Sequence, residues 1–580
     1  MRGDTVYVPS AFATFNGEAL DEKTPLLRSQ NAVKLAGQKL LPLLGAPVTE
    51  SRAGIICNVG WEQEFFLINA DDFEARPDLV ASGRTVLGAL PARNQQTSVN
   101  YFAAMHARAK AILQETQMQL LELGVPLSVY HNEVAPAQHE FSPIFQRVNV
   151  AADSNVLAME ILKDTAKAHG MVALFHEKPF KGINGSGKHL NWGLNAGHTG
   201  RNLFVPGKTA AHQASFMAMV AVLTRAMNLY SDLVRAGVAS PGNDHRLGAH
   251  EAPPAILSLY LGDGMMKHIE EIIAGGPLAG YGKGAKTIDF GAPELAPIQA
   301  GTEDRNRTAP FPFCGNRFEL RAMGAEGNIS LPLTIVQSAV AESMGVMTER
   351  LTKGESLRDV TADFFKQNKR IIFNGNGYSK EWHAEAVARG LPNLRTSVEA
   401  YQVLTSPKAK ELFSKVKVFQ PHEIDARVAV AMEMHVEQIM IEANVMLDML
   451  ETGVVPACVF LLRARARWLA ATHTRTHSCA QDLAIYKDEA ASLIGNRAQV
   501  YALLAKRTKE LSDVIDQLPE GDTAAAAKYT QDVVRPKMVE TRVVADEAER
   551  LIARDLYPFP SYHDMFFRPQ NEVVGGERCD

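Results

Sequence analysis

The chain has 580 residues, 46% of them apolar, with 60 Lys and Arg against 65 Asp and Glu. That length exceeds what one hydrophobic core organises, so two or more globular domains are expected. The near balance of charge excludes the basic footprint of a nucleic-acid binder and any strong pull toward an anionic membrane, so neither partner is expected.

Residues 1–29 read as a short irregular lead-in ending in Thr24-Pro25-Leu26-Leu27-Arg28. Ile55 to Ile68 has the pattern of a strand. Because alternate residues of a strand share a face, Glu62 and Glu64 of Gly60-Trp61-Glu62-Gln63-Glu64 project together. Asn100 to Gly124 has helical spacing and ends at a glycine. Residues 131–140, His-Asn-Glu-Val-Ala-Pro-Ala-Gln-His-Glu, carry Glu133 and Glu140 seven apart. Pro136 forbids a continuous helix between them, so they flank a turn or bulge where they can converge. In Asn184-Gly185-Ser186-Gly187-Lys188-His189 the glycines let backbone approach a ligand closely just before a histidine.

Ala210 to Gly237 reads as another helix, followed by Asn243-Asp244-His245-Arg246-Leu247 and Glu251-Ala252-Pro253. Gly- and Pro-rich loops over Ala274 to Gly291 and Pro293 to Gly301 mark turns. Arg305-Asn306-Arg307 comes next, and then Arg317-Phe318-Glu319-Leu320-Arg321, a strand whose three charges share one face. Ala53 to about Arg350 is therefore an α+β region holding every candidate site residue. Beyond Gly354 long amphipathic helices take over. One spans about His422 to Thr452, stops at Gly453, and sets Met432, Val436, Ile439, Ala443, Met446 and Leu450 on one face. A second covers about Leu483 to Leu518, and a third about Thr523 to Leu556, which Pro536 should kink or divide.

The five cysteines (Cys57, Cys314, Cys458, Cys479, Cys579) lack the close pairing of a zinc site, which points to a reducing, cytoplasmic setting. The longest apolar run, Val454 to Leu462, contains Pro456 and leads into Arg463. It falls short of the roughly 18 residues that cross a bilayer.

Five carboxylates gathered in one cleft would repel by about 4 kcal/mol per pair at ~4 Å and an effective dielectric near ~20. They cannot all stay ionised unaided, and divalent cations resolve the conflict. Oxygen ligands suit Mg²⁺, while one imidazole among them also admits Mn²⁺.

The order of these acidic and arginine clusters resembles the glutamine synthetases, and specifically their long type III class. Lys369-Arg370-Ile371-Ile372-Phe373-Asn374-Gly375-Asn376-Gly377-Tyr378-Ser379, the helix around His435 to Met449 and Tyr557-Pro558-Phe559-Pro560-Ser561-Tyr562 resemble that class rather than the shorter ones. The resemblance covers residues 7 to 567. It implies a curved antiparallel sheet forming an active-site funnel flanked by helices, with a long C-terminal helical extension. The implied division is 1–29 as the remnant of an N-terminal β-grasp domain with its linker, 30–353 as the catalytic domain and 354–580 as the helical region.

The resemblance also implies roles. Glu64, Glu133 and Glu140 match the ligands of one metal, and Glu62, Glu319 and His189 those of the other, giving two or more Mg²⁺ or Mn²⁺ per site. Arg246 and Arg321 match the arginines that grip glutamate, and Asn184 and Gly185 its further contacts. Arg307 and Arg317 match nucleotide-phosphate contacts, with Arg307 also in a catalytic role. Asn191 stands where other classes often have a second histidine near the nucleotide. Glu251 matches the glutamate that takes a proton from ammonium. Pro312 and Cys314 depart from the basic residues of shorter classes, so the phosphate contacts are expected to differ.

The implied reaction joins ammonia to L-glutamate with ATP, through a γ-glutamyl phosphate, in a homo-oligomer built as a double ring. Family members draw an aspartate from a neighbour's β-grasp domain, and only the tail of that domain is expected in residues 1–29. Two alternatives stand beside this reading: a non-catalytic or impaired scaffold of the same fold, and a γ-glutamyl ligase using another amine.

Overall fold

The computed structural model describes residues 2–197, 200–282, 287–299, 306–473 and 480–568; Arg305, Cys479 and Cys579 lie outside them. Its organising element is β1 (Ile55–Asn69), a 15-residue strand at the middle of an eight-stranded sheet. Strands β2 (Leu127–Asn132), β3 (Gln138–Pro143), β4 (Gln146–Arg147), β5 (Met171–Leu174), β6 (Lys188–Ala196), β7 (Arg201–Asn202) and β8 (Phe318–Leu320) complete it. The main order is β8-β6-β1-β3-β2, every pairing antiparallel; β4 and β5 also pair with β1, and β7 with β6.

Alternation along β1 divides its residues by destination. Cys57, Val59, Trp61, Phe65 and Leu67 enter the main core, where Trp61 and Phe65 pack against Phe141 with ring centroids 5.6 and 5.2 Å apart. Gln63 shares that side and is fully buried, so it needs partners. Its amide donates to the Ala325 carbonyl at 3.0 Å and accepts from Asn155 at 3.2 Å. The other face carries Glu62 and Glu64 and then Phe66 and Ile68, which belong to a separate cluster with Phe180, Tyr562 and Phe566. The C-terminal tail thus covers the apolar end of the face that bears the carboxylates.

Helices α1 (Lys23–Leu43), α2 (Ala107–Glu122), α3 (Val148–Ala168), α4 (Ala210–Gly237) and α5 (Ser330–Thr352) supply apolar residues to the main core. α4 occupies the expected span. α1 does not, since Thr24 to Arg28 form its first turns rather than an irregular end; Leu26, Val33, Leu40 and Leu41 are fully buried along one stripe. The expected Asn100–Gly124 helix is broken into Val99–Phe102 and α2, with Ala103 extended. Tertiary hydrogen bonds explain the break. Asn132 donates to the carbonyls of Asn100 and Ala103, and Asn100 donates to those of Glu133 and Ala135 at 2.7 Å.

The helical region differs from expectation at Gly453. α6 (Pro421–Met449) continues through a π-turn, Leu450–Val454, into α7 (Val455–His473). Pro456 is the second residue of α7, and the wider turn accommodates its missing N–H. Gly453 serves close approach instead, because a Cβ there would lie 2.8 Å from the Phe559 ring. The same device divides the third helix as Pro536 requires: a π-turn, Thr530–Val534, separates Thr523–Tyr529 from Arg535–Leu551. The second helix runs Ala480–Ile515.

One window within Pro421–Arg467 is, by length and composition, apolar enough to cross a membrane, although no single uninterrupted apolar run is. Met446, Met449, Leu450, Val454 and Cys458 from it are buried against Leu504, Leu511 and Met538, as in a helical core. Among the described residues Cys57 and Cys458 are buried free thiols.

Candidate functional site

Register brings the charges together. Glu64 lies directly across from Glu140, Glu140 from His131, Glu62 from His189, and Asn191 from Glu319. Directly opposed residues have Cβ atoms only about 5 Å apart, so antiparallel pairing fixes the cluster before any side chain chooses a rotamer. The turn expected at Pro136 is present: Glu133 N–H donates to the Gln138 carbonyl at 2.9 Å, and Ala137 takes φ 62°. It returns the chain so that Glu133 and Glu140 face one cleft. Glu62, Glu64, His131, Glu133, Glu140, His189, Glu251, Arg307 and Arg321 all line that cleft.

Two groups within it have ligand atoms within 4.8 Å of one another: Glu62, Glu140 and His189, and His131, Glu133 and Glu140. Both sets combine carboxylate oxygens with one imidazole nitrogen, which fits a hard divalent cation. The grouping differs from the two trios implied by resemblance. Glu140 stands between the groups and His131 joins one of them, while Glu64 is turned toward backbone, accepting from Gly187 N–H.

His131 is the residue that sequence reasoning left without a role. The signal was its place two before Glu133 on one strand, but its second partner, Glu140, is set only by strand pairing. Its Nε2 lies 3.1 Å from Glu140 and its Nδ1 3.7 Å from Glu133.

A chain of polar contacts crosses the other trio. Arg317 Nε donates to Asn191 at 2.7 Å, Asn191 donates to Glu62 at 2.9 Å, and His189 Nδ1 lies 3.1 Å from Glu62 and 3.6 Å from Glu319. Arg321 closes it with a 2.7 Å bond to Glu319. Cys314, noted for its departure from the shorter classes, has its sulfur 3.4 Å from Glu319.

Asn184, Gly185, Arg246, Asn191, Arg317 and Glu319 do not themselves line the cleft. Asn184 exchanges two hydrogen bonds with Gln95, at 2.8 and 3.1 Å. A Cβ on Gly185 would sit 2.2 Å from the Glu177 carbonyl, and one on Gly187 2.1 Å from the Arg246 guanidinium. Gly185 is therefore required by close approach to backbone, while a side chain at position 187 would displace the Arg246 guanidinium. Gln138, also unassigned from sequence, ties the sheet to this loop by donating to the Gly185 carbonyl at 2.9 Å. Arg246 is buried and donates to the carbonyls of Met323 and Arg321 at 3.1 and 3.2 Å. Glu251 is ion-paired with Arg307 at 2.7 Å. It follows His250 in a left-handed pair of residues, φ 51° and 68°, costing on the order of 1–2 kcal/mol each. Such strain persists only where surroundings hold it, here the Arg307 pair and the Tyr378 hydroxyl on the next carbonyl, Ala252, at 3.0 Å.

Crowding is visible in the acid–base balance. Burial, then Glu64 and Glu140, push the Glu133 carboxyl up to about 9. Donating a hydrogen bond to the Glu140 carboxylate likewise raises His131 to about 9. Glu140 itself is raised, by burial first and then by Glu62 and Glu64, against the opposing bond from His131.

Glu133 and His131 thus hold protons at neutral pH, and a cation must displace them. Affinity for Mg²⁺ or Mn²⁺ is expected to rise as pH rises from 7 toward about 9, with net proton release. Titration calorimetry in buffers of different ionisation enthalpy measures that release. A binding constant flat across the window would contradict the arrangement.

The similarity to known proteins extends beyond the cleft. The family model for "Glutamine synthetase type III N terminal" matches residues 1–29, that for "Glutamine synthetase, catalytic domain" residues 48–240, and that for "Glutamine synthetase C-terminal domain" residues 356–471. The type-3 glutamine synthetase of Dictyostelium discoideum is 37% identical over 97% of this chain and 77% of its own length. Glutamine synthetases of Bacteroides fragilis and Butyrivibrio fibrisolvens are 33% and 34% identical, over 97% and 98% of this chain and 78% and 80% of theirs. Similarity that runs almost end to end, around one sheet face carrying the charged cluster, has one meaning: the chain belongs to the glutamine synthetase family, in its type III class.

Proposed function

We propose that this protein joins ammonia to L-glutamate at the expense of ATP, giving L-glutamine, ADP and phosphate through a γ-glutamyl phosphate. The observation that carries this reading is the register of the central strands, which sets Glu64 against Glu140 and Glu62 against His189 on one cleft face. Family membership supplies the reaction class; the donor set accounts for its demand for cations.

A carboxylate does not react with ammonia directly because oxide is no leaving group, so the γ-carboxylate must first accept a phosphoryl group. Glu62, Glu64, Glu133, Glu140, His189 and Glu319, joined by His131, would hold two or more Mg²⁺ or Mn²⁺ ions. When bound, those ions neutralise charge on the transferring phosphoryl group. Arg307 and Arg317 are assigned to the nucleotide phosphates, with Asn191, which accepts from Arg317, beside them. Arg246 and Arg321 grip the carboxylates of glutamate, with Asn184 and Gly185 as neighbouring contacts. Glu251 takes a proton from ammonium, since only free ammonia has the lone pair to attack. Its ion pair with Arg307 supports a reading in which base and phosphate contact lie side by side. The residues act within a domain division of 1–29, 30–353 and 354–580, in a homo-oligomer.

The test is glutamine formation dependent on both ATP and ammonium, with Mg²⁺ and with Mn²⁺. Absence of product in both, with a folded protein that binds the metal, would overturn the proposal. Within it, Arg246→Ala and Arg321→Ala are each expected to raise the apparent KM for glutamate by roughly 10- to 100-fold, the worth of about 1.5–3 kcal/mol for a charged hydrogen bond. The KM for ATP should stay near its original value, and steady-state kinetics with each substrate varied in turn checks the split.

A further inference from the structure

A buried polar network lies outside the cleft and involves none of its ligands. It surrounds the six-residue helix Pro241–Arg246, whose last three residues are Asp244, His245 and Arg246. Asp244 accepts from Arg235 Nη2 at 2.9 Å, from Ser397 N–H at 2.6 Å and from Arg535 Nη1 at 3.4 Å. Arg535 Nη2 lies 3.3 Å from His245 Nδ1. On its other side, His245 Nε2 lies 3.8 Å from Glu442, which also pairs with Arg84 at 2.5 Å. The side chains of Asp244 and Glu442 are 2% and 1% exposed and that of Arg535 is 13% exposed. These are charges held away from water, where their mutual geometry is costly to change.

The sources of these groups are informative. Glu442 is on α6, and Arg535 begins the helix after the second π-turn; both belong to the helical region, roughly two and three hundred residues downstream of the helix they grip. A six-residue helix has little stability of its own, since it has barely more than one turn of internal hydrogen bonds. Its orientation is set by what holds Asp244 and His245 on one side and by the buried Asn243 amide, which donates to the Val238 and Ala322 carbonyls at 2.6 and 2.9 Å, on the other. His245 is kept neutral, by burial first and then by Arg84 and Arg535. A neutral ring that accepts from Arg535 at Nδ1 carries its proton on Nε2, which faces Glu442 at 3.8 Å, too far for a hydrogen bond, so Arg535 fixes the tautomer and Glu442 favours that ring orientation through its charge. The next residue is Arg246. Its guanidinium lies against Gly187 with no room for even a methyl group, and donates to the carbonyls of Met323 and Arg321 and to Asn243. A small rotation of the helix would drive it into the Gly187 backbone or withdraw it from the strand.

We propose that Arg535 and Glu442 are positioning residues for glutamate use: by clamping Asp244 and His245 they hold Arg246 at the depth from which it meets the substrate. The C-terminal helical region thereby contributes to substrate recognition without touching substrate. This rests on the reading of Arg246 as a glutamate contact.

The experiment compares KM and kcat for glutamate and for ATP in the intact protein and in Arg535→Ala, Arg535→Lys, Glu442→Gln, Arg246→Ala and the Arg246→Ala/Arg535→Ala double variant. Arg535→Ala and Glu442→Gln are expected to raise the glutamate KM about tenfold while leaving the ATP KM unmoved, and Arg535→Lys to recover most of that loss. In the double variant Arg535→Ala should add nothing to the effect of Arg246→Ala, because what it positions is gone. Equal changes in both KM values, or additive effects in the double variant, would overturn the positioning role while leaving Arg246 as a substrate contact. An unchanged glutamate KM in Arg246→Ala would overturn both. Should Arg535→Ala fail to fold, Glu442→Gln decides the matter, and wild-type glutamate kinetics in that variant would refute the proposal.

Discussion

Glu140→Gln is expected to lower glutamine synthesis by at least about 100-fold and, at the same time, to raise the melting temperature of the metal-free protein. The first effect follows from position. Glu140 is the one carboxylate shared by both candidate ligand groups, opposite Glu64 on one strand and His131 on the other. Losing an outer partner of a metal ligand typically costs 10- to 100-fold, so losing the shared ligand should cost no less than the upper end. The second effect follows from the repulsion described above. Burial and the charges of Glu62 and Glu64 already push the Glu140 carboxyl upward, so an isosteric neutral amide relieves a conflict that exists whenever no cation balances it. Thermal melts with a chelator and with saturating Mg²⁺, beside the glutamine assay, separate the two: the variant should start higher and gain less from the ion. Wild-type turnover, or wild-type stabilisation by Mg²⁺, would contradict the shared-ligand assignment.

The largest effect on stability is expected far from the cleft. Arg76 and Asp78 are both fully buried and bonded twice, at 3.0 and 2.6 Å. The guanidinium also donates to the carbonyls of Leu87 at 2.7 Å and Pro560 at 2.8 Å. Asp78 in turn accepts from Val86 N–H at 2.9 Å. Removing one member of such a pair strands the other charge in the interior, which costs about 3–5 kcal/mol. Arg76→Met should therefore destabilise strongly and loosen the C-terminal tail, whose Pro560 loses its donor. Hydrogen exchange over residues 557–567 reads the local effect and a melt the global one. The Arg76→Met/Asp78→Leu double variant should recover much of the loss, because no unpaired charge remains. Failure of the double variant to recover anything would mean that packing, not stranded charge, dominates.

Some features are legible from near neighbours in the chain alone. Alternation placed Glu62 and Glu64 on one face of a strand, Pro136 demanded the turn between Glu133 and Glu140, and the ends of α4 and the division at Pro536 followed from near neighbours in the chain. Periodicity and proline act over a handful of residues, so the amino-acid order suffices. The order of the acidic and arginine clusters likewise sufficed to indicate the type III glutamine synthetases, which the similarity of the chain then showed.

Contacts between distant segments were decided only in the tertiary structure. Gly453 looked like a helix stop because glycine often ends helices, yet it is there to admit Phe559 from a hundred residues away. The Asn100 helix breaks because its residues hydrogen-bond to Asn132 and the Glu133 turn instead of to one another. His131 gained its place beside Glu140 from the register of β2 on β3, and Glu140 its shared position from the register of β3 on β1. Which carboxylates are present, and which face each takes, was determined by the sequence; which of them meet was decided by strand pairing, because hydrogen-bonded register joins residues whose separation along the chain carries no trace of it.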